Sequence, residues 1–179
     1  PEDFSLVVFP GNDYSLEGNL LIPNPDFNGL LRVPVRVNDG QLNSNIFILN
    51  VTVQPVNDPP TISEIRDLIV TDGSGVRRIV TGINIGTGDN ANTQSIDTVF
   101  ATSSNTSLVN NEDIRIIKIS ETEIDIELFT QAFVDGTTTI TVTVRDDGGT
   151  EFGGIDTNTE LFNVTVDAVN NPPQFTVNT

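Results

Sequence analysis

The sequence predicts an all-β fold, a tandem of antiparallel β-sandwiches, and three observations carry that expectation. Apolar and polar residues alternate with period two, Asn-Gly and Asp-Gly pairs interrupt the alternation at short intervals, and one stretch of sequence occurs twice. A strand with one face on a core must alternate in this way, whereas an amphipathic helix repeats every 3.6 residues, and no segment does so convincingly.

The elements follow in chain order. Residues 30–37 (LLRVPVRV) and 47–53 (FILNVTV) read as strands of a first unit. Residues 114–119 (IRIIKI), 124–128 (IDIEL), 138–144 (TTITVTV) and 161–166 (LFNVTV) read as strands of a second. Asn28-Gly29, Asp39-Gly40, Asp72-Gly73, Asp135-Gly136 and Asp147-Gly148 offer glycines for the positive φ of tight turns. Short strands at this turn spacing indicate a sandwich.

The repeat sets the domain organisation. FNGLLRVPVRVNDG from Phe27 aligns with VDGTTTITVTVRDDGG from Val134, and NVTVQPVNDPP from Asn50 aligns with NVTVDAVNNPP from Asn163. The expected division is therefore residues 1–58, the C-terminal part of one repeat, then 59–171, a complete repeat, then 172–179, where QFTVNT reads as the first strand of a third. Residues 5–8 match the stretch near Ile114, so the first repeat is expected to lack its opening strands. A boundary or cleavage upstream of Pro1, within a long tandem array, would account for that.

Composition narrows the chemistry. The 179 residues carry 25 acidic and 8 basic side chains, a net charge of -17, and no cysteine, histidine, methionine or tryptophan. Cysteine or histidine metal centres, Ser-His-Asp triads, cysteine nucleophiles and histidine bases are excluded, and the chain is expected not to be an enzyme. A pI near 4.1 opposes attraction to phosphates, so nucleic acid is not an expected partner. No apolar run approaches the roughly 18 residues of a membrane span, and no membrane insertion is expected.

The order V-x-V-x-D-G, an alternating strand, then V-N-D-x-P resembles the closing half of cadherin and bacterial cadherin-like repeats, whose last hairpin leads into a D-x-N-D-x-x-P linker. Val35, Val37, Asp39, Gly40, Asn57, Asp58 and Pro60 carry the match in the first copy. Val142, Val144, Asp146, Gly148, Asn170 and Pro173 carry it in the second. TSSNTSLV from Thr102 and GGIDTNTELFNVTVDAVNNPP from Gly153 look like the tandem immunoglobulin-like or cadherin-like repeats of very large bacterial surface proteins. The resemblance implies cadherin-like or immunoglobulin-like sandwiches, the first incomplete, in an extracellular protein that is secreted or attached to the cell surface. Its implied partners are the neighbouring repeats of the same chain, with cell-surface protein or polysaccharide as further candidates. Such modules serve adhesins, stalks and secreted polysaccharide-degrading enzymes alike, so the resemblance specifies the repeat better than the role.

Strand arithmetic gives the acidic residues a task. Seven strands put the entering and leaving linkers at opposite poles of a sandwich. The loop near Asp89 and the hairpin with Asp146 and Asp147 then fall at the entering pole of the second unit, and PNPDFNG, with Asp26, at the leaving pole of the first. Asp26, Asp58, Asp89, Asp146 and Asp147, with a side-chain or backbone oxygen of Asn57, are expected to form an all-oxygen calcium site at the junction. Calcium takes six to eight such ligands, at roughly 0.1 to 1 mM affinity in extracellular modules. The second junction, with Asp72, Asp135 and Asp167 beside Asn170-Asn171, is expected to be weaker because Asn171 stands where the family usually has an acid.

Other constellations have plainer readings. Glu112 with Asp113, or Glu121 with Glu123 and Asp125, could be imagined as a glycosidase acid pair, but strand residues at i, i+2 and i+4 share one solvated face. Lys118, the only lysine, is expected to be exposed rather than buried in an isopeptide crosslink. Thr137, Thr139, Thr141 and Thr143 reflect β propensity rather than an ice-binding array, because one row on one strand is no array. Carbohydrate binding, as an accessory module, is the alternative function. Against it stand the lack of tryptophan, the single Tyr14 and the expectation that most of the ten phenylalanines point inward.

Overall fold

A computed structural model describes residues 4–71, 77–89 and 94–168. The chain divides into two compact units, Pro1–Pro55 and Val56–Thr179. In the first unit, β1 (Ser5–Val8), β4 (Gly29–Asn38) and β5 (Phe47–Val53) form an antiparallel sheet in the order β1-β4-β5, and β2 (Tyr14–Glu17) pairs with β3 (Leu20–Pro23) as a hairpin. The alternation of β4 does what it predicts: Leu31 and Val33 are buried, and they meet Tyr14 from β2 in a small core. The Tyr14 hydroxyl donates to the Phe9 carbonyl at 2.6 Å, so the ring is buried without stranding its polar tip.

The second unit is built from two four-stranded sheets. Its strands are β6 (Thr61–Ile62), β7 (Leu68–Val70), β8 (Arg77–Gly86), β9 (Ile96–Ser103), β10 (Ile114–Lys118), β11 (Glu123–Phe129), β12 (Gly136–Asp146) and β13 (Thr157–Val166). One sheet runs β10-β11-β8-β6 and the other β7-β13-β12-β9. All pairs are antiparallel except β7 with β13, which run parallel. Lettering β6 and β7 as one split first strand reproduces the two-sheet order of an immunoglobulin-type sandwich. Between the sheets lies a dry core of Val70, Ile126, Leu128, Ile140, Val142 and Phe162, each at most 1% exposed. On β12 the buried Thr138, Ile140, Val142 and Val144 alternate with threonines that face outward.

The aligned hairpins β4–β5 and β12–β13 put the units in correspondence, and this corrects one expectation. β1 pairs with β4 from Ser5 opposite Asn38 to Val8 opposite Val35, on the side of β4 away from β5. In the second unit that side of β12 is held by β9, so residues 5–8 take the place of β9 and not of the strand at Ile114. By chain order, β2 and β3 then stand where β10 and β11 do. Counterparts of β6, β7 and β8 are absent among the described residues of the first unit.

Candidate functional site

Three segments meet at one pole of the second unit: residues 56–60 before β6, the loop from β8 to β9, and the loop from β12 to β13. Asn57 is the centre of the contact. It is 8% exposed, and its amide nitrogen faces Asp146 Oδ1 at 2.9 Å, the Gly149 carbonyl at 3.1 Å and the Ile155 carbonyl at 2.9 Å. Its own carbonyl accepts from the Ile155 N–H at 3.1 Å. Asp146, 1% exposed, takes a second bond on Oδ1 from the Gly148 N–H at 2.9 Å. The segment entering the sandwich is thus fastened to its last hairpin by the two amide protons of Asn57, shared among a carboxylate and two backbone carbonyls, and by one backbone–backbone bond.

That contact explains a glycine for a reason other than the expected one. Positive φ occurs at Gly29, Gly40 and Gly136 as predicted, but in the β12–β13 loop it falls on Gly149 and not on Gly148. Gly148 is glycine because of close approach. A Cβ there would overlap Asn57 Oδ1 and stand 2.6 Å from Gln94 Nε2. Gly73, the remaining predicted turn glycine, lies outside the described residues.

The neighbouring Asp147 is exposed and turned elsewhere. Its carboxylate accepts from the Ser95 N–H at 2.8 Å and from the Ser95 hydroxyl at 2.7 Å, while its own N–H donates to the Ser95 carbonyl at 3.1 Å. The Ser95 backbone donor, and then its hydroxyl, hold the Asp147 carboxyl below the usual carboxylate range. Asp89 is half-buried beside Gly88, whose missing Cβ leaves room for the Pro59 carbonyl, with the Asp58 carbonyl behind it. Asp58 itself is exposed. Asp89, Gln94 and Ser95 rim an open cleft of about 560 Å³, closed on another side by Glu121 and Thr122.

Of the six residues expected to bind calcium, Asn57, Asp58, Asp89, Asp146 and Asp147 therefore belong to this pole. Asp26 belongs to the first unit, exposed in the turn between β3 and β4 with a left-handed φ of 61°. The carboxylates do not converge. Among the described residues, no three acidic side chains are gathered closely enough to hold a metal ion. Among the residues of the weaker junction, Asp135 and Asp167 are exposed beside β12 and β13, and Asp72, Asn170 and Asn171 lie outside the described residues.

What the pole does contain is a surplus of oxygen acceptors. Asn57 Oδ1, Asp89 Oδ2, Gln94 Oε1 and Asp146 Oδ2 are all buried without a hydrogen-bond partner, and the only other such side-chain atom among the described residues is Arg36 Nε, in the first unit. Buried polar atoms are normally paired, so these four oxygens are acceptors whose capacity the protein's own donors do not fill. A hard cation fits that donor set: oxygens only, two from carboxylates and two from amides. Gln94 and Ser95 escape a reading of the sequence because nothing local separates them from ordinary loop residues.

The fold defines the class: an all-β sandwich whose two sheets follow the immunoglobulin-type order. No family model matches the chain, and no curated protein does. Among solved structures, it is similar to domains EC1-2 of human mucin-like protocadherin, with 17% identity, a TM-score of 0.41 and coverage of 94% of this chain and 86% of that one. It is similar to domains 4-9 of the surface layer protein SbsC, with 18% identity, a TM-score of 0.38 and coverage of 94% and 22%. A third similarity is to the endo-fucoidan hydrolase MfFcnA4 of glycoside hydrolase family 107, with 15% identity and a TM-score of 0.36. There the match covers 93% of this chain, which spans only 24% of the hydrolase. Similarity at this level transfers no activity.

Proposed function

We propose that the chain is a non-catalytic structural module of an extracellular tandem array, in which calcium bound at the pole of the second unit stiffens the linker that enters it. One observation carries the reading: Asp146, 1% exposed, keeps a buried and unpartnered Oδ2, and Asn57, whose amide nitrogen donates to the other oxygen of that carboxylate, keeps a buried and unpartnered Oδ1. A buried carboxylate oxygen with no donor is costly unless a cation or water completes it. Asn57 Oδ1 and Asp146 Oδ2 would be the inner ligands, with Asp89 and Gln94 supplying further oxygens from the facing loop. A metal joining those loops to the entering segment would restrict hinge motion at the linker and protect it from proteolysis.

The absence of catalysis is supported by what the other carboxylates do. Glu127 is paired with Arg77 Nε and lies 3.6 Å from Arg115, Asp125 accepts from the Gly82 N–H at 3.0 Å, and Glu121 pairs with the exposed Lys118 at 2.8 Å. Each holds a strand or turn. The test is calorimetric titration of calcium into EDTA-treated protein, with magnesium as control and thermal melts alongside. Saturable binding at sub-millimolar calcium, with a higher melting temperature, is expected. Heats no larger than those of magnesium, and an unchanged melt, would leave a hydrogen-bonded linker with no metal.

A further inference from the structure

We propose that the outer face of the β7-β13-β12-β9 sheet binds a neutral polysaccharide. The strand registers place threonines side by side on three strands rather than in one row. Thr141 stands opposite Thr102 on β9 and Leu161 on β13, and Thr143 stands opposite Phe100 and Thr159. One register further, Arg145 stands between Thr98 and Thr157. At the other end Thr137 pairs with Thr165, their hydroxyls 3.1 Å apart, and the Thr139 hydroxyl donates to Asn163 Oδ1 at 2.9 Å. The four-residue row on β12 is thus one column of a larger array.

Three properties of this face point to a neutral sugar chain. First, the charged groups at this face are engaged with partners beside them: Arg145 lies 3.7 Å from Asp97 and 3.5 Å from Asp156, and Asp67 accepts from the Asn163 N–H at 2.6 Å and from its amide nitrogen at 3.3 Å, on a protein of net charge -17. A second copy of the chain, or an anionic polymer, would be repelled by the rest of the surface, whereas a neutral partner is indifferent to it. Second, the central hydroxyls of Thr102, Thr141, Thr143 and Thr159 make no hydrogen bond among the described residues. Each can both donate and accept, as a sugar hydroxyl does. Third, the aromatic argument against sugar binding does not hold. Phe100, on the edge strand β9, is 49% exposed at the register of Thr143, and Leu161, on β13, is 57% exposed at the register of Thr141, so apolar surface for the C–H face of a ring lies among hydroxyls. From Thr137 to Thr143 the column runs about 20 Å, room for several sugar residues laid along β12.

The test is affinity electrophoresis of the whole chain through gels containing neutral polysaccharides (mixed-linkage β-glucan, xyloglucan, galactomannan), with alginate as the anionic comparison and EDTA present throughout. Retardation by at least one neutral polymer is expected, with little by alginate. Phe100→Ala and Thr141→Glu should each weaken it about tenfold or more, as loss of a central anchor does. Phe133→Ala, an equally bulky exposed ring off this face, should leave it unchanged, and circular dichroism should show all three variants folded. Failure of every neutral polymer to retard the chain, retardation that survives both face variants, or stronger retardation by alginate would overturn the proposal. So would sedimentation showing self-association that the same variants abolish, since the face would then belong to a second copy. Because EDTA is present, failure here leaves the calcium reading of the pole untouched.

Discussion

Replacing Asn57 by alanine removes the contact that joins the entering segment to the β12–β13 loop, and its cost can be worked from the geometry. The amide nitrogen has two protons for three acceptors, so at most two full hydrogen bonds are lost, one of them to the Asp146 carboxylate. A bond to a charged group contributes about 1.5–3 kcal/mol and a neutral one about 0.5–1.5 kcal/mol. Asp146 then stays buried with only the Gly148 N–H for company, which adds to the penalty. The expected loss is about 3–4 kcal/mol from the second unit alone. With a urea m-value of about 1.5–2 kcal/mol/M, the midpoint of that unit should fall by about 2 M.

The two units can be followed separately. Tyr14 is the only tyrosine and tryptophan is absent, so tyrosine fluorescence reports the first unit. Far-ultraviolet circular dichroism sees both, and amide exchange of β12 isolates the second. The midpoint in the β12 signal should drop while the Tyr14 signal stays where it was. A drop of less than about 0.5 M would mean that the three acceptors find water as readily as they find Asn57, and the fastening would carry no stability. An equal drop in both signals would refute the assignment of Asn57 to the second unit.

Three further outcomes are expected. Asn57→Asp keeps an oxygen in place but sets a second carboxylate against Asp146; in EDTA it should destabilise the second unit more than Asn57→Ala does, and millimolar calcium should reverse that order in a thermal melt, whereas a gap that calcium leaves unchanged would argue against a cation at this pole. Gly148→Ala should cost about 1–3 kcal/mol through overlap with Asn57 Oδ1, and in the Asn57→Ala background most of that cost should vanish in the same urea titration. Asp147 has a lowered folded-state pKa, so the stability it contributes is present above the ordinary carboxylate range and is lost as pH falls through its lowered value; Asp147→Asn should therefore reduce stability at neutral pH and flatten the fall below about pH 4, read from melts across pH.

Among the strands that the sequence predicts well, β12 has burial that is one-sided and unbroken. Residues 138–144 lie inside β12 because each alternate residue meets a core and says so locally, whereas residues 47–53 coincide with β5 although only Val51 and Val53 of that strand pack against a core. β8 is different. Its Gly82 carries a positive φ and donates to Asp125, and the register with β11 shifts between Ile124 and Ile126, so the alternation that would announce the strand is interrupted by a bulge. The partner of residues 5–8 was beyond local reading as well, since four alternating residues fit the edge of either sheet and only pairing decides. The phenylalanines mislead for a related reason. Phe162 is buried by its strand, but Phe133 and Phe152 sit in loops at positive φ, 82% and 70% exposed, where no periodicity governs them.

The pole was legible as a set of residues and not as a contact. The repeat marks Asn57 and Asp146 as parts of two separate turn signatures, yet they are partners across 89 positions, and nothing at either end announces the other. The first unit makes the same point by contrast. Asp39, aligned with Asp146, closes its own hairpin by accepting from the Gln41 and Leu42 N–H groups at 2.9 and 2.7 Å, and those donors hold its carboxyl below the usual range. In the second unit the hairpin is longer, Gly148 alone supplies the local donor, and the remaining acceptor capacity of Asp146 turns to Asn57. One aspartate in one motif therefore serves turn closure in one copy and linker attachment in the other. The difference lies in the local donors: in the first copy the N–H groups at i+2 and i+3 both reach the carboxylate, whereas in the second only the one at i+2 does, and the linker's amide takes up acceptor capacity that the turn leaves open.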